Sequence, residues 1–117
     1  MPYMLLIVEP AGQRSARSED EGRALYASML RFSDELKTRG LLIASQSLRS
    51  DTEGVRVQVR DGARRLLDGP FAEAKEMVGG YFLLDTEDKT LAIEIASACP
   101  AAAWATVEVR EFGPCFT

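Results

Sequence analysis

The chain contains no histidine among its 117 residues, and that absence removes more chemistry than any other feature of the composition. Triads with a histidine base, imidazole acid–base relays and histidine-ligated metals are all excluded. Proton transfer would have to use Asp, Glu, Lys, Tyr, Cys or bound water. The two cysteines, Cys99 and Cys115, have neither CxxC nor metal-type spacing and read as reduced thiols of a cytoplasmic protein. No run of about 18 apolar residues occurs, so no membrane span is expected. Positive charge is also short: 14 Lys and Arg against 18 Asp and Glu give a net charge of −4. That is the wrong sign for a surface that displaces counterions from nucleic acid, and no direct nucleic-acid binding is expected. No P-loop, dinucleotide fingerprint or metal-ligand cluster is present, and no metal or cofactor is expected.

What remains is an ordinary globular composition, 46% apolar and 27% charged, of a length suited to one domain over residues 1–117. Residues 3–8 form an apolar run with no basic stretch before it and no small-residue cleavage site after it. They read as a strand buried on both faces, not as a leader. Ser18-Glu19-Asp20-Glu21 has the pattern of a capping box. Leu25, Met29, Phe32 and Leu36 then recur at helical spacing, and Gly40 suits the left-handed stop. A short strand at 41–44 follows. Val55, Val57 and Val59 alternate with polar residues in a half-buried strand, Asp61-Gly62 is a tight hairpin turn, and 64–67 is the return strand. Gly69-Pro70 breaks it, a helical turn is expected over 72–76, and Gly79-Gly80 would end that turn. A strand at 81–85, a second helix over 87–99 stopped by Pro100, and a last strand at 106–110 complete the order.

Two long helices between separated strands predict an α+β, ferredoxin-like fold: an antiparallel sheet with both main helices on one face. Several strands nevertheless read as apolar on both faces. Helices on one side leave the other uncovered, so a homodimer that pairs two sheets face to face is expected. The apolar tail 112–116 is expected against a neighbouring subunit.

The stretch Asp68-Gly69-Pro70-Phe71-Ala72-Glu73, followed by Lys75-Glu76 and Gly79-Gly80-Tyr81, resembles the signature of the DGPF-type branch of the YCII-related family. The opening Tyr3-Met4-Leu5-Leu6-Ile7, the 57–62 hairpin and the closing 107–110 strand resemble it in order and spacing. The resemblance implies a dimeric α+β barrel. Some relatives in that family resemble dehydrochlorinases, lyase-type enzymes that use a His–Asp pair, a mechanism this histidine-free chain cannot share. The DGPF branch also implies a bacterial setting and a regulatory role beside a sigma factor.

The candidate site follows from the same block. Asp68 is the first candidate for acid–base work, at the rim of a cleft; its plainer role is a turn residue that bonds its own downstream backbone. Lys75 is the second, if burial lowers its pKa. Glu73 and Glu76 would share one side of the turn and bind a polar ligand group, or else form a solvated cluster. Tyr81 offers a phenol to the cleft or packs in the core beside Leu83. Trp104 either lines a pocket or anchors packing. Two functions are expected from this: a small-molecule-binding protein with lyase-like acid–base activity, or a non-catalytic regulatory module that contacts a sigma factor.

Overall fold

The computed structural model describes residues 1–116. Strand β1 spans Tyr3–Pro10 and alternates strictly: Tyr3, Leu5, Ile7 and Glu9 are buried, while Met4, Leu6 and Val8 are half-buried. Within one chain, then, only one face of β1 is covered. Helix α1 spans Glu19–Thr38, with Ser18 as N-cap accepting from the Glu21 backbone N–H. The reciprocal half of the capping box is not made, because the Ser18 hydroxyl donates to the Glu21 carboxylate at 3.0 Å instead. Three acids in the first turn and Lys37 in the last complement the helix dipole. Gly40 takes φ +71° at the stop.

Strand β2 runs over Leu42–Ser47, three residues past the expected 41–44. Strands β3 (Val55–Arg60) and β4 (Ala63–Asp68) pair with each other alone. Asp61 and Gly62 turn between them at φ 53° and 76°, the positive values a two-residue hairpin needs. All twelve residues of the two strands are exposed. The half-buried strand expected here is therefore corrected: this hairpin is an arm that packs neither face on its own protomer.

Strand β5 spans Glu76–Leu84. The helical turn expected over 72–76 does not form; that segment is irregular, and Gly79-Gly80 lies inside β5 rather than ending a helix. Helix α2 spans Lys89–Ala98 and starts two residues later than expected, because the Asp88 side chain accepts from the Thr90 and Leu91 N–H groups. Strand β6 is Thr106–Glu111.

The main sheet has the order β2-β5-β1-β6 with every neighbour antiparallel. Leaving out the arm, its strands lie second, third, first and fourth in chain order, which is the split βαβ, ferredoxin-like topology. The sheet of one chain is open, not a closed barrel. Both helices cover the face that carries Tyr3, Leu5, Ile7, Phe82 and Leu84, and Phe32 and Leu36 of α1 meet Ala92 and Ile95 of α2 over it. Phe32 and Phe82 pack edge to face at 5.3 Å. Among the described residues, no helix is long and apolar enough to cross a membrane.

Candidate functional site: a cavity beneath the first helix

The Asp-Gly-Pro-Phe block forms the foot of the arm. Gly69 donates its N–H to the Gly54 carbonyl at 2.8 Å and precedes a cis peptide bond to Pro70. A Cβ on Gly69 would stand 1.7 Å from the Asp51 carbonyl oxygen, so glycine is required where the two backbones cross. The Phe71 ring lies 3.9 Å beneath the Arg56 guanidinium, a cation–π contact that ties the motif to β3. The specific residues of this block therefore hold the arm to the body.

The residues singled out around that block are dispersed. Asp68 ends β4 exposed, and Glu73, Lys75 and Glu76 are exposed as well. None of their side chains makes a hydrogen bond or ion pair among the described residues, so Asp68 does not bond its downstream backbone. Asp68 and Lys75 do not come together in an enclosed space. Lys75 contributes instead through its carbonyl, which accepts from the Ala11 N–H at 2.9 Å.

The concavity lies elsewhere and is open to solvent, since Tyr26 and Leu30 of its wall are exposed. A cavity of about 360 Å³ opens between α1 and the covered face of β1, β5 and β2, within the size range of small-molecule sites. Its apolar wall is Leu25, Tyr26, Met29 and Leu30 of α1 facing Ile7 and Phe82 of the sheet. Its polar end gathers Glu9, Arg14, Arg17 and Trp104. Ser33 of α1 and Ser45 of β2 meet across it at 3.1 Å. Of the residues weighed for a site, Trp104 borders this cavity, and so does Tyr81. It lies between Gly80 and Phe82, and strand alternation sends its ring to the opposite, half-buried face, level with Leu83.

Glu9 organises the polar end. It continues the buried pleat of Tyr3, Leu5 and Ile7 and is 2% exposed, where a lone carboxylate would be strongly disfavoured. Arg14 answers it. Nε donates to Glu9 Oε1 at 2.5 Å, Nη1 to the Leu48 carbonyl at 2.7 Å and Nη2 to the Gly79 carbonyl at 3.3 Å. One guanidinium thus ties β1, β5 and the segment after β2. The register of β1 against β5 shifts between Ile7 and Val8, and Gly79 is the extra residue of that bulge. A Cβ there would stand 2.6 Å from Glu9 Oε2 and 2.7 Å from Arg14 Nη2. The next glycine backs onto β2, where a Cβ on Gly80 would lie 2.8 Å from the Gln46 carbonyl oxygen. The glycine pair admits neighbouring protein atoms.

Sequence reasoning passed over Glu9, Arg14 and Arg17. The available signal was Glu9 itself, an acid on the pleat otherwise occupied by buried apolar residues, which demands a nearby cation. Gln13 donates from Nε2 to the Trp104 carbonyl at 2.8 Å. Gln13 Oε1 and Trp104 Nε1 are both buried without a hydrogen-bond partner among the described residues. Arg17 stacks over the Trp104 ring at 4.7 Å.

The strand order and the two helices on one face place this chain among ferredoxin-like α+β domains. Within that class it belongs to the YCII-related domain family, whose model matches residues 1–114. No curated protein matches the chain.

Proposed function

We propose that the protein binds a small molecule in the cavity between α1 and the sheet, and does so as a homodimer. The observation that carries the first half is the cavity itself. It is apolar along one wall, polar at one end, and built around a Glu9–Arg14 pair that the fold holds in place. Mostly apolar concavities with a few convergent polar groups are the usual form of ligand sites. Family membership supports the fold and leaves the chemistry open. Acid–base turnover by Asp68 and Lys75 is the less favoured form of this reading, because both side chains stand in solvent at the arm's foot.

The test is thermal-shift screening of a small-molecule library against the wild-type protein and Ser33→Phe, whose added ring would fill the cavity. Ligands that stabilise the wild type should lose their effect in Ser33→Phe while its circular dichroism is unchanged. Undiminished binding by Ser33→Phe, together with loss in Asp68→Ala, would move the site to the arm.

The arm supports the second half. A two-stranded hairpin is marginal at best alone in water, yet this one is exposed on both faces. On one face Val55, Val57 and Val59 pair with Asp68, Leu66 and Arg64; on the other lie Arg56, Gln58 and Arg60, opposite Leu67, Arg65 and Ala63. The chain's radius of gyration is 16.0 Å, against about 13 Å for a compact domain of this length. Arg56, Arg60, Arg64 and Arg65 against Asp61 and Asp68 give the arm +2, which leaves −6 for the rest of a chain of net charge −4. A second copy therefore offers an acidic body to a basic arm, and its open sheet face, with Met4, Leu6, Val8 and Leu83, is half-buried and apolar. A reducing, cytoplasmic setting suits Cys99 and Cys115, which are unpaired.

Sedimentation of wild type and Val57→Asp/Leu66→Asp tests the assembly. The wild type should run as a dimer and the variant as a monomer. A monomeric wild type that instead pulls down a sigma factor through the same arm would favour the regulatory reading.

A further inference from the structure

Three charged side chains face the cavity: Glu9, Arg14 and Arg17. The first two cancel through their ion pair. Arg17 is left over; among the described residues it has no acidic partner, and its guanidinium rests on the Trp104 ring. The polar end thus carries one uncompensated positive charge beside a wall of Leu25, Tyr26, Met29 and Leu30.

Trp104 Nε1 is buried and donates to nothing, although a buried donor without an acceptor is disfavoured. It belongs to the same residue on which Arg17 stacks and which lines the same end of the cavity. Arg14 also uses three of its five N–H groups on Glu9, Leu48 and Gly79. The second Glu9 oxygen is turned toward Gly79.

We infer that the ligand is an organic monoanion, a carboxylic acid with an apolar body, whose carboxylate is received by Arg17, held on the face of the Trp104 ring, while its body lies along α1. This deepens the binding function proposed above and rests on it. A neutral ligand would leave the Arg17 charge uncompensated, and a cation would meet it as a like charge. A dianion exceeds the single positive charge that the wall offers. Trp104 faces hold the guanidinium plane in position, so that the fork is set before the ligand arrives.

Trp104 is the only tryptophan of the chain, so its emission reports directly on this site. The experiment titrates wild-type protein with straight-chain and phenyl-terminated carboxylates of increasing length, and with the primary alcohols and amines of the same skeletons. Carboxylates should bind about ten-fold or more tightly than the matching alcohols, as hydrogen bonds to a charged group allow, and amines weakest of all. Arg17→Gln should erase the advantage of the acid and leave the alcohol's affinity unchanged. Trp104→Phe, followed by calorimetry, should reduce the acid's affinity alone. Equal affinity for acid and alcohol, or an Arg17→Gln protein that still prefers the acid, would overturn the assignment of the ligand class while leaving the cavity as a binding site. Failure of every compound to bind, with no competition in Ser33→Phe, would overturn the site and the class together.

Discussion

Gly79 and Glu9 stand so close that the structure admits only hydrogen as the side chain at position 79: a methyl group there would lie 2.6 Å from Glu9 Oε2. The strand bulge at this point and the buried ion pair are therefore one device. Gly79→Ala should force the pair apart and lower the free energy of unfolding by about 1–3 kcal/mol. Urea denaturation measures it, and Gly22→Ala is the control. Gly22 lies in α1 where a Cβ meets nothing within 4 Å, so that change should stabilise by about 0.5–1 kcal/mol.

Glu9→Gln keeps the shape of the side chain and removes its charge. Breaking a buried pair typically costs about 3–5 kcal/mol. The effect here should fall toward the lower end, because the Arg14 side chain is one-third exposed and keeps some hydration. The unfolding free energies of Glu9→Gln, Arg14→Gln and the double variant together give the coupling between the two groups. A double variant as unstable as the sum of the singles would mean that the pair contributes no coupling.

Asp68 and Gly69 are adjacent in the motif and should respond oppositely. Asp68→Ala should change stability by no more than about 0.5 kcal/mol, as for other exposed positions, and should leave ligand binding unchanged. Gly69→Ala places a Cβ 1.7 Å from the Asp51 carbonyl and should unseat the arm. Limited proteolysis between residues 55 and 68 would reveal the loosened arm, and sedimentation the loss of the proposed dimer.

Burial pushes the Cys99 thiol above its ordinary value of 9.0, and the Tyr3 phenol rises above 10.0, first from burial and then from the negative charge of Glu111. Both groups hold their protons longer in the folded chain than in the unfolded one. Their contribution to stability is therefore complete below the unfolded values and is lost as pH rises through the folded ones. Unfolding free energy should decline from about pH 9 upward, and the decline should be shallower in Cys99→Ala. Thiol-reactive dye at pH 8 should label Cys115, which is exposed, and spare Cys99.

The fold was readable because local signals agreed with it. The stripe Leu25–Leu36, the Asp61-Gly62 turn and Pro100 each fall where the structure places an element or its end. The wrong expectations share a cause. Gly79-Gly80 looked like a stop because glycine is usually punctuation, but here it is a close approach between β5 and its neighbours, which depends on residues far away in sequence. Val55–Val59 alternates as a half-buried strand does, yet nothing in the alternation says which chain supplies the cover. The cavity's polar end joins residue 9 to 14, 17 and 104, and no local window contains that set.

An arm with no partner along either of its long edges also bears on how the molecule matures. Its backbone amides at 55–60 and 63–68 have only one another for shelter, so a solitary chain would leave this ribbon fraying while the four-stranded sheet is already sealed. In the proposed dimer, order in the ribbon would arrive last, and its deuterium uptake would slow as protein concentration rises.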